Sequence, residues 1–232
     1  MCKYFKFINI SHLKARNPGF TLAEILLALV IIGVVASITI PALIQNTQNA
    51  QLKTAWKKDY SIIAQAQLMA MNDNAGDINS YLNSIRTLAP LLNNYLNSTK
   101  LCAGGVGLSP CFTQHVTELD GTTVGTTGLN KGLFDDGGIS LANGSTLAFE
   151  NNGDTYNGIY YAYIWVDVNG NAPPNTIGED IFGIIVLRNQ IIPMGIPASG
   201  IPINHFNSLP AESTCVPGTT SGIACSAIYL TQ

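Results

Sequence analysis

Phe20 to Ile44 reads FTLAEILLALVIIGVVASITIPALI, a run of 25 residues whose one charge is Glu24. As a helix, a run of that length is about 37 Å long at about 1.5 Å per residue. A bilayer's hydrocarbon core is about 30 Å thick, so the run is long enough to cross it. Gly33 and Pro41 lie inside the run and predict bends or local melting, because proline removes a helical donor. A secretory signal cut beyond the run, a plain single-pass anchor and a buried core helix all share this composition. The core helix is the weakest of the three, since no other segment is apolar enough to surround it. The cut signal and the plain anchor do not explain Glu24. A carboxylate inside an apolar span costs several kcal/mol unless it has a partner.

Working outward toward the amino terminus, residues 1–19 hold Lys3, Lys6, Lys14 and Arg16 and no acid. A short basic stretch ahead of an apolar run is the layout of an export signal, and the basic end stays cytoplasmic. Beyond residue 19 the balance reverses to seven basic and fourteen acidic residues, while the whole chain carries a formal net charge of -3. No positive field gathers phosphates, so nucleic acid is not an expected partner. Only 11% of residues are charged, against about 25% in average domains. The hydrophobic share of 47% still excludes a disordered chain. With the leader removed, four cysteines remain in two close pairs, Cys102 with Cys111 and Cys215 with Cys225. In an exported chain such pairs predict disulfides. The bland alternative is four buried thiols packing as small apolar groups.

The residues around the junction resemble the processing signal of type IV pilins and of the pseudopilins of type II secretion. The resemblance rests on a basic leader, Gly19-Phe20-Thr21-Leu22-Ala23-Glu24, the apolar run, and Pro41 near its end, covering about residues 14–50. It implies cleavage between Gly19 and Phe20 by a prepilin peptidase, followed by N-methylation of Phe20. It makes Glu24 and Pro41 the assembly residues of the helix, and it implies a structural subunit, not an enzyme. The implied partners are other pilin or pseudopilin subunits, the peptidase, an inner-membrane assembly platform and the membrane itself. The implied location is the bacterial inner membrane before assembly, with the globular part exported, then a periplasmic or extracellular filament. The residue chemistry agrees. Gly19 has no side chain to block a protease, and cleavage there leaves the apolar helix attached. The new Phe20 amine is a cation that Glu24 of a neighbouring subunit could neutralise in low dielectric.

Toward the carboxyl terminus, residues 45–72 turn amphipathic, with Leu52, Ala55, Trp56, Ile62, Ile63, Ala66, Met69 and Ala70 at helical spacing. This predicts the same helix continuing against a globular domain, with Asn72-Asp73-Asn74-Ala75-Gly76 ending it. Residues 79–98 read as one helix kinked at Pro90 or two short ones. Further on, short apolar runs predict strands at Ile139–Ala142, Thr146–Glu150, Ile159–Val168, Ile181–Arg188 and Ile191–Met194. Ala142-Asn143-Gly144-Ser145 signals a hairpin, and Asn189-Gln190 a second tight turn. The expected class is α+β, a long helix packed on a small antiparallel sheet as in pilins. The expected organisation is a leader 1–19, a polymerisation helix 20–44, its amphipathic continuation 45–72, and a pilin-like exported domain 73–232.

Asp167, Asn169 and Asn171 alternate after one predicted strand, and Asp180 opens the next. These are hard oxygen ligands suited to calcium. The loop is no EF-hand, because Ala172 and Gly178 stand where that loop needs Gly and Glu. Asx side chains capping their own turn would produce the same sequence. Pseudopilins often carry a calcium site in a carboxy-terminal loop, and that similarity keeps calcium as the one candidate cofactor. His12, His115 and His205 lack zinc-site neighbours, and no nucleophile elbow occurs. Gly104-Gly105-Val106-Gly107 lacks the lysine of a phosphate loop. Asp135-Asp136 before Gly137-Gly138 reads as a solvated turn. Without a catalytic constellation, two functions compete. One is a filament subunit; the other is a binding or enzymatic domain held by an ordinary anchor or released.

Overall fold

The computed structural model describes residues 19–105, 108–126, 129–195 and 214–231. Most of the basic leader with Cys2 and His12, and also His205, lie outside the described residues. Helix α1 covers Leu22–Asp73 without interruption, through Gly33 and Pro41. One compact unit ends at Asn46 and a second begins at Thr47. The fold is α+β: the long helix, apolar enough in its first part to cross a membrane, is followed by a small antiparallel sheet.

Within the second unit, α1 buries Trp56, Asp59, Ile63, Ala66, Gln67 and Ala70. Their spacing of three and four residues places them on one helix face. The helix stops where Asn74 and Gly76 both donate backbone N–H to the Met71 carbonyl, at 3.0 and 2.9 Å. Ala75 and Gly76 take left-handed backbone there, with φ of 58° and 96°. Such a turn satisfies a carbonyl that the helix end leaves open. Two short helices follow, α2 Asn79–Asn83 and α3 Leu88–Asn93, so the segment breaks in two.

The sheet contains β1 Ser98–Ala103, β2 Gly137–Leu141, β3 Thr146–Glu150, β5 Ile159–Asp167, β6 Ile181–Leu187 and β7 Gln190–Pro193, hydrogen-bonded in that order, with β4 Thr155–Tyr156 pairing the start of β5. All pairings are antiparallel. The β2–β3 hairpin turns through Ala142–Ser145 as the sequence predicts, with Gly144 at φ 97°. The β6–β7 turn is displaced by one residue from the prediction. Leu187 pairs with Gln190, leaving Arg188 and Asn189 as the turn.

Both sheet faces are buried. Leu147, Phe149, Ala162, Ile164, Val166, Phe182, Ile184 and Val186 join Trp56 and Ile63 in one core. The alternate residues, including Ala148, Tyr163, Trp165 and Ile185, form a second core with Phe112, Val116, Leu133 and Phe134. This alternation follows from the period-two direction of strand side chains. Trp56 stacks on Phe182 at 4.9 Å, and Phe134 stacks on Trp165 at 4.7 Å, between ring centroids. The second layer comes mostly from the β1–β2 connection, which the sequence reading left without a role.

Polar ties set the register of α1 on the sheet. Gln67 Nε2 donates to the Leu187 carbonyl at 2.7 Å, and Trp56 Nε1 to the Ser226 carbonyl at 2.9 Å. Asp59 is fully buried and accepts from Asn143 Nδ2 at 2.7 Å and from Ser145 Oγ at 2.5 Å. Burial pushes its carboxyl upward, and the two hydrogen bonds pull against that. The helix therefore grips the hairpin loop through a satisfied buried carboxylate. A last short helix, α4 Cys225–Thr231, buries Cys225 and Ala227.

Candidate processing and assembly segment

In the amino-terminal unit the helix starts immediately after the predicted scissile bond. Gly19, Phe20 and Thr21 precede α1, and Phe20 is 83% exposed. A Cβ built at Gly19 would meet nothing within 4 Å. Packing among the described residues thus does not require a glycine there. From Leu22 to Ile44 the large apolar side chains point outward, and none of the most apolar 18-residue window is buried. Exposed apolar surface of this extent in water would carry a penalty of many kcal/mol at about 25 cal/mol per Å². It requires lipid or other helices around it. Ser37 and Thr39 stay compatible with such surroundings by donating to the Val34 and Val35 carbonyls, at 2.8 and 2.9 Å.

Glu24 has a local partner that the sequence reading did not name. Thr21 donates both its backbone N–H and its hydroxyl to Glu24 Oε2, each at 2.8 Å. Glu24 N–H in turn donates to Thr21 Oγ1 at 3.3 Å. This is a capping box, with Thr21 at the N-cap and Glu24 three residues on. The Thr-x-x-Glu spacing was readable in the sequence. The carboxylate at a helix start also complements the positive end of the helix dipole. Glu24 is therefore held at the first turn, one turn from the bond between Gly19 and Phe20. Pro41 is accommodated inside α1.

The second unit holds the remaining candidates. Cys102 and Cys111 are joined by a disulfide, as are Cys215 and Cys225, at sequence separations of 9 and 10. The first anchors the loop layer to β1; the second ties residue 215 to α4. Loops of this length are worth about 2–3 kcal/mol each in the chain-entropy account. Replacing either pair by serines is expected to lower unfolding stability by about that amount, measured by denaturant titration. Unchanged midpoints in both paired variants would remove that stabilising role.

Of the four oxygen-bearing residues in the β5–β6 loop, three come together. Asp167 and Asp180 are fully buried. Asp180 accepts backbone N–H from Asn175 at 2.7 Å and from Thr176 at 2.6 Å. Asn169 contributes a side-chain hydrogen bond to Asp180, and Asp180 is close enough to raise the Asp167 carboxyl by repulsion. Burial first, then that repulsion, pushes Asp167 up to about 8. Asp167 Oδ2 and Asn169 Oδ1 are buried without a hydrogen-bond partner. Asn171 is exposed and stands apart. Capping also operates here, since Asn169 N–H donates to Asp167 Oδ1 at 3.3 Å.

The reading of Asp135-Asp136 as a solvated turn is corrected. Asp136 is 1% exposed, and its Oδ1 accepts from Arg86 Nε at 2.7 Å. Its Oδ2 accepts from Asn151 N–H at 2.8 Å. Arg86 comes from the α2–α3 connection and Asn151 from the end of β3, so only the fold unites them. His115 is exposed on the loop layer. No curated protein and no solved structure gives a significant match to the chain. What does match is the amino-terminal segment. Residues 14–40 match the prokaryotic N-terminal methylation motif, the signature of the type IV pilin and pseudopilin prepilin-type signal.

Proposed function

We propose that the chain is a subunit of a type IV pilus or type II secretion filament. On this reading a prepilin peptidase cuts between Gly19 and Phe20, Phe20 is N-methylated, and the mature chain polymerises through the helix beginning at Leu22. The observation that carries the proposal is that the apolar first part of this helix, up to Ile44, is open to its surroundings and that its sole carboxylate, Glu24, sits one turn from the new amine. Packing such helices side by side hides the apolar surface and pairs each amine with a carboxylate. An ordinary anchored binding domain needs neither the glycine junction nor Glu24. Mass spectrometry of the amino terminus, together with sedimentation of sheared filaments, tests the proposal. Methylated Phe20 in a sedimenting fraction is expected. An intact leader, or a start beyond Val35, would favour the anchored domain.

A calcium ion at the β5–β6 loop is a second element of the proposal. Its support is the buried Asp167–Asp180 pair and the two unpartnered oxygens of Asp167 and Asn169. Asp167, Asn169 and Asp180 would hold the ion, without Asn171. A cation would relieve the repulsion between two buried carboxylates. The full chain in detergent is expected to melt higher in millimolar calcium than in chelator. Linkage gives about 2.7 kcal/mol at a hundredfold excess over Kd. Identical melting in both would return these side chains to turn capping alone.

A further inference from the structure

A second acidic cluster lies at the other end of β3. The carboxylate oxygens of Asp135, Asp136 and Glu150 fall within 4.8 Å of one another. They border a cleft of about 270 Å³ that Arg86, Asn130 and Asn152 also line. Asp136 is committed to Arg86 and to the Asn151 amide. Glu150 is different. It is 5% exposed, and its Oε1 accepts from Asn152 Nδ2 at 2.6 Å. Its Oε2 is buried with no hydrogen-bond partner. A buried carboxylate oxygen without a donor is costly, and native folds rarely leave one so. Burial and the neighbouring Asp136, Asp135 and Asp154 push the Glu150 carboxyl up to about 8.

We propose that Asp135, Asp136 and Glu150 form a binding site for a hard divalent cation of the calcium class. The charges match. With all three carboxyls ionised around the ion, Arg86 brings the net charge of the cluster to two negatives, which a doubly charged ion neutralises. The donors are carboxylate oxygens only, with no sulfur or imidazole among them, which selects hard cations over zinc or copper. Glu150 Oε2 provides the buried ligand. Water entering through the cleft completes the coordination shell, as calcium permits. The site ties the end of β3 to the loop layer that covers the second sheet face.

Equilibrium dialysis of the full chain in detergent micelles against calcium tests the site, using wild type, Glu150→Gln, Asp135→Asn and an Asp167→Asn/Asp180→Asn double variant. Each single variant is expected to lose one bound equivalent, or to bind it at least tenfold more weakly, while the double variant keeps that equivalent. Wild-type stoichiometry and affinity retained in both single variants, or a double variant that binds no calcium, would overturn the site. Melting adds a readout that a purely structural role would not produce. Relieved of a buried carboxyl with an unpartnered oxygen, Glu150→Gln is expected to melt at or above wild type in chelator and below it in calcium. The same order of melting temperatures in both buffers would count against the cation. The outcome does not depend on whether the chain forms filaments.

Discussion

A Gly19→Leu chain is expected to insert in the membrane normally and to remain uncleaved. Among the described residues nothing stands against a side chain at this position, since a Cβ at residue 19 would meet no atom within 4 Å. Any loss therefore arises where the peptidase must approach the bond. A side chain that keeps the catalytic groups from the carbonyl raises the barrier by a few kcal/mol, and about 1.4 kcal/mol is a factor of ten in rate. A fall of about a hundredfold or more in mature protein follows. The measurement is the ratio of leader-bearing to mature chain by intact-mass spectrometry. A Gly19→Ala control is expected to be cut at a reduced but measurable rate. Normal maturation of the leucine variant would show that the junction glycine is not what the processing enzyme reads.

The second large effect concerns Glu24, where the structure sharpens the experiment. Its carboxylate does two jobs on the proposed reading: it closes the capping box with Thr21, and it neutralises a Phe20 amine of a neighbouring subunit. Glu24→Gln separates them. Glutamine can complete a capping box but carries no charge. Glu24→Val removes both, and loss of a cap costs about 0.5–2 kcal/mol at the helix start. Membrane insertion of either variant is expected to be unimpaired, since each removes a charge from an apolar span. An amine buried in the filament without a counter-charge costs about 3–5 kcal/mol. That corresponds to about two to three and a half orders of magnitude in assembly. Both variants are therefore expected to lose sedimentable filaments while still being cleaved. Thr21→Ala, which weakens only the cap, is expected to keep them. Filament yield like wild type from Glu24→Gln would assign the residue to helix capping alone.

Some of the site was readable because its chemistry is local. The basic leader, Gly19-Phe20 and the apolar run are contiguous, and each acts through residues within one or two helical turns. Thr21 and Glu24 belong to the same category, three residues apart, and were legible as a cap. The cysteine pairs are 9 and 10 residues apart, so they too could be matched from spacing.

What the sequence determined by itself is the α+β class, the long helix and where it stops, the apolar runs of strands β3, β5 and β6, and the Asn143-Gly144 hairpin. All of these follow from periodicity or turn chemistry inside short windows. The tertiary structure alone decided the rest. β1 has no strand signal of its own and follows directly on the helical stretch 79–98; only its pairing with β2, more than thirty residues on, makes Ser98–Ala103 a strand. The glycine- and threonine-rich connection after β1 has no period, yet Phe112, Val116, Leu133 and Phe134 cover the face of the sheet that α1 does not. Asp59 is one more polar residue on an amphipathic helix until Asn143 and Ser145 arrive from the hairpin to satisfy it. Asp136 resembled a solvated turn until Arg86, fifty residues earlier, closed over it. Asn171 followed the ligand spacing but was turned outward, while Asp167 and Asp180 were forced together by the antiparallel register of β5 and β6. In each of these cases the deciding partner is distant in sequence. A buried polar group is settled by what the fold brings to it, which no local pattern encodes.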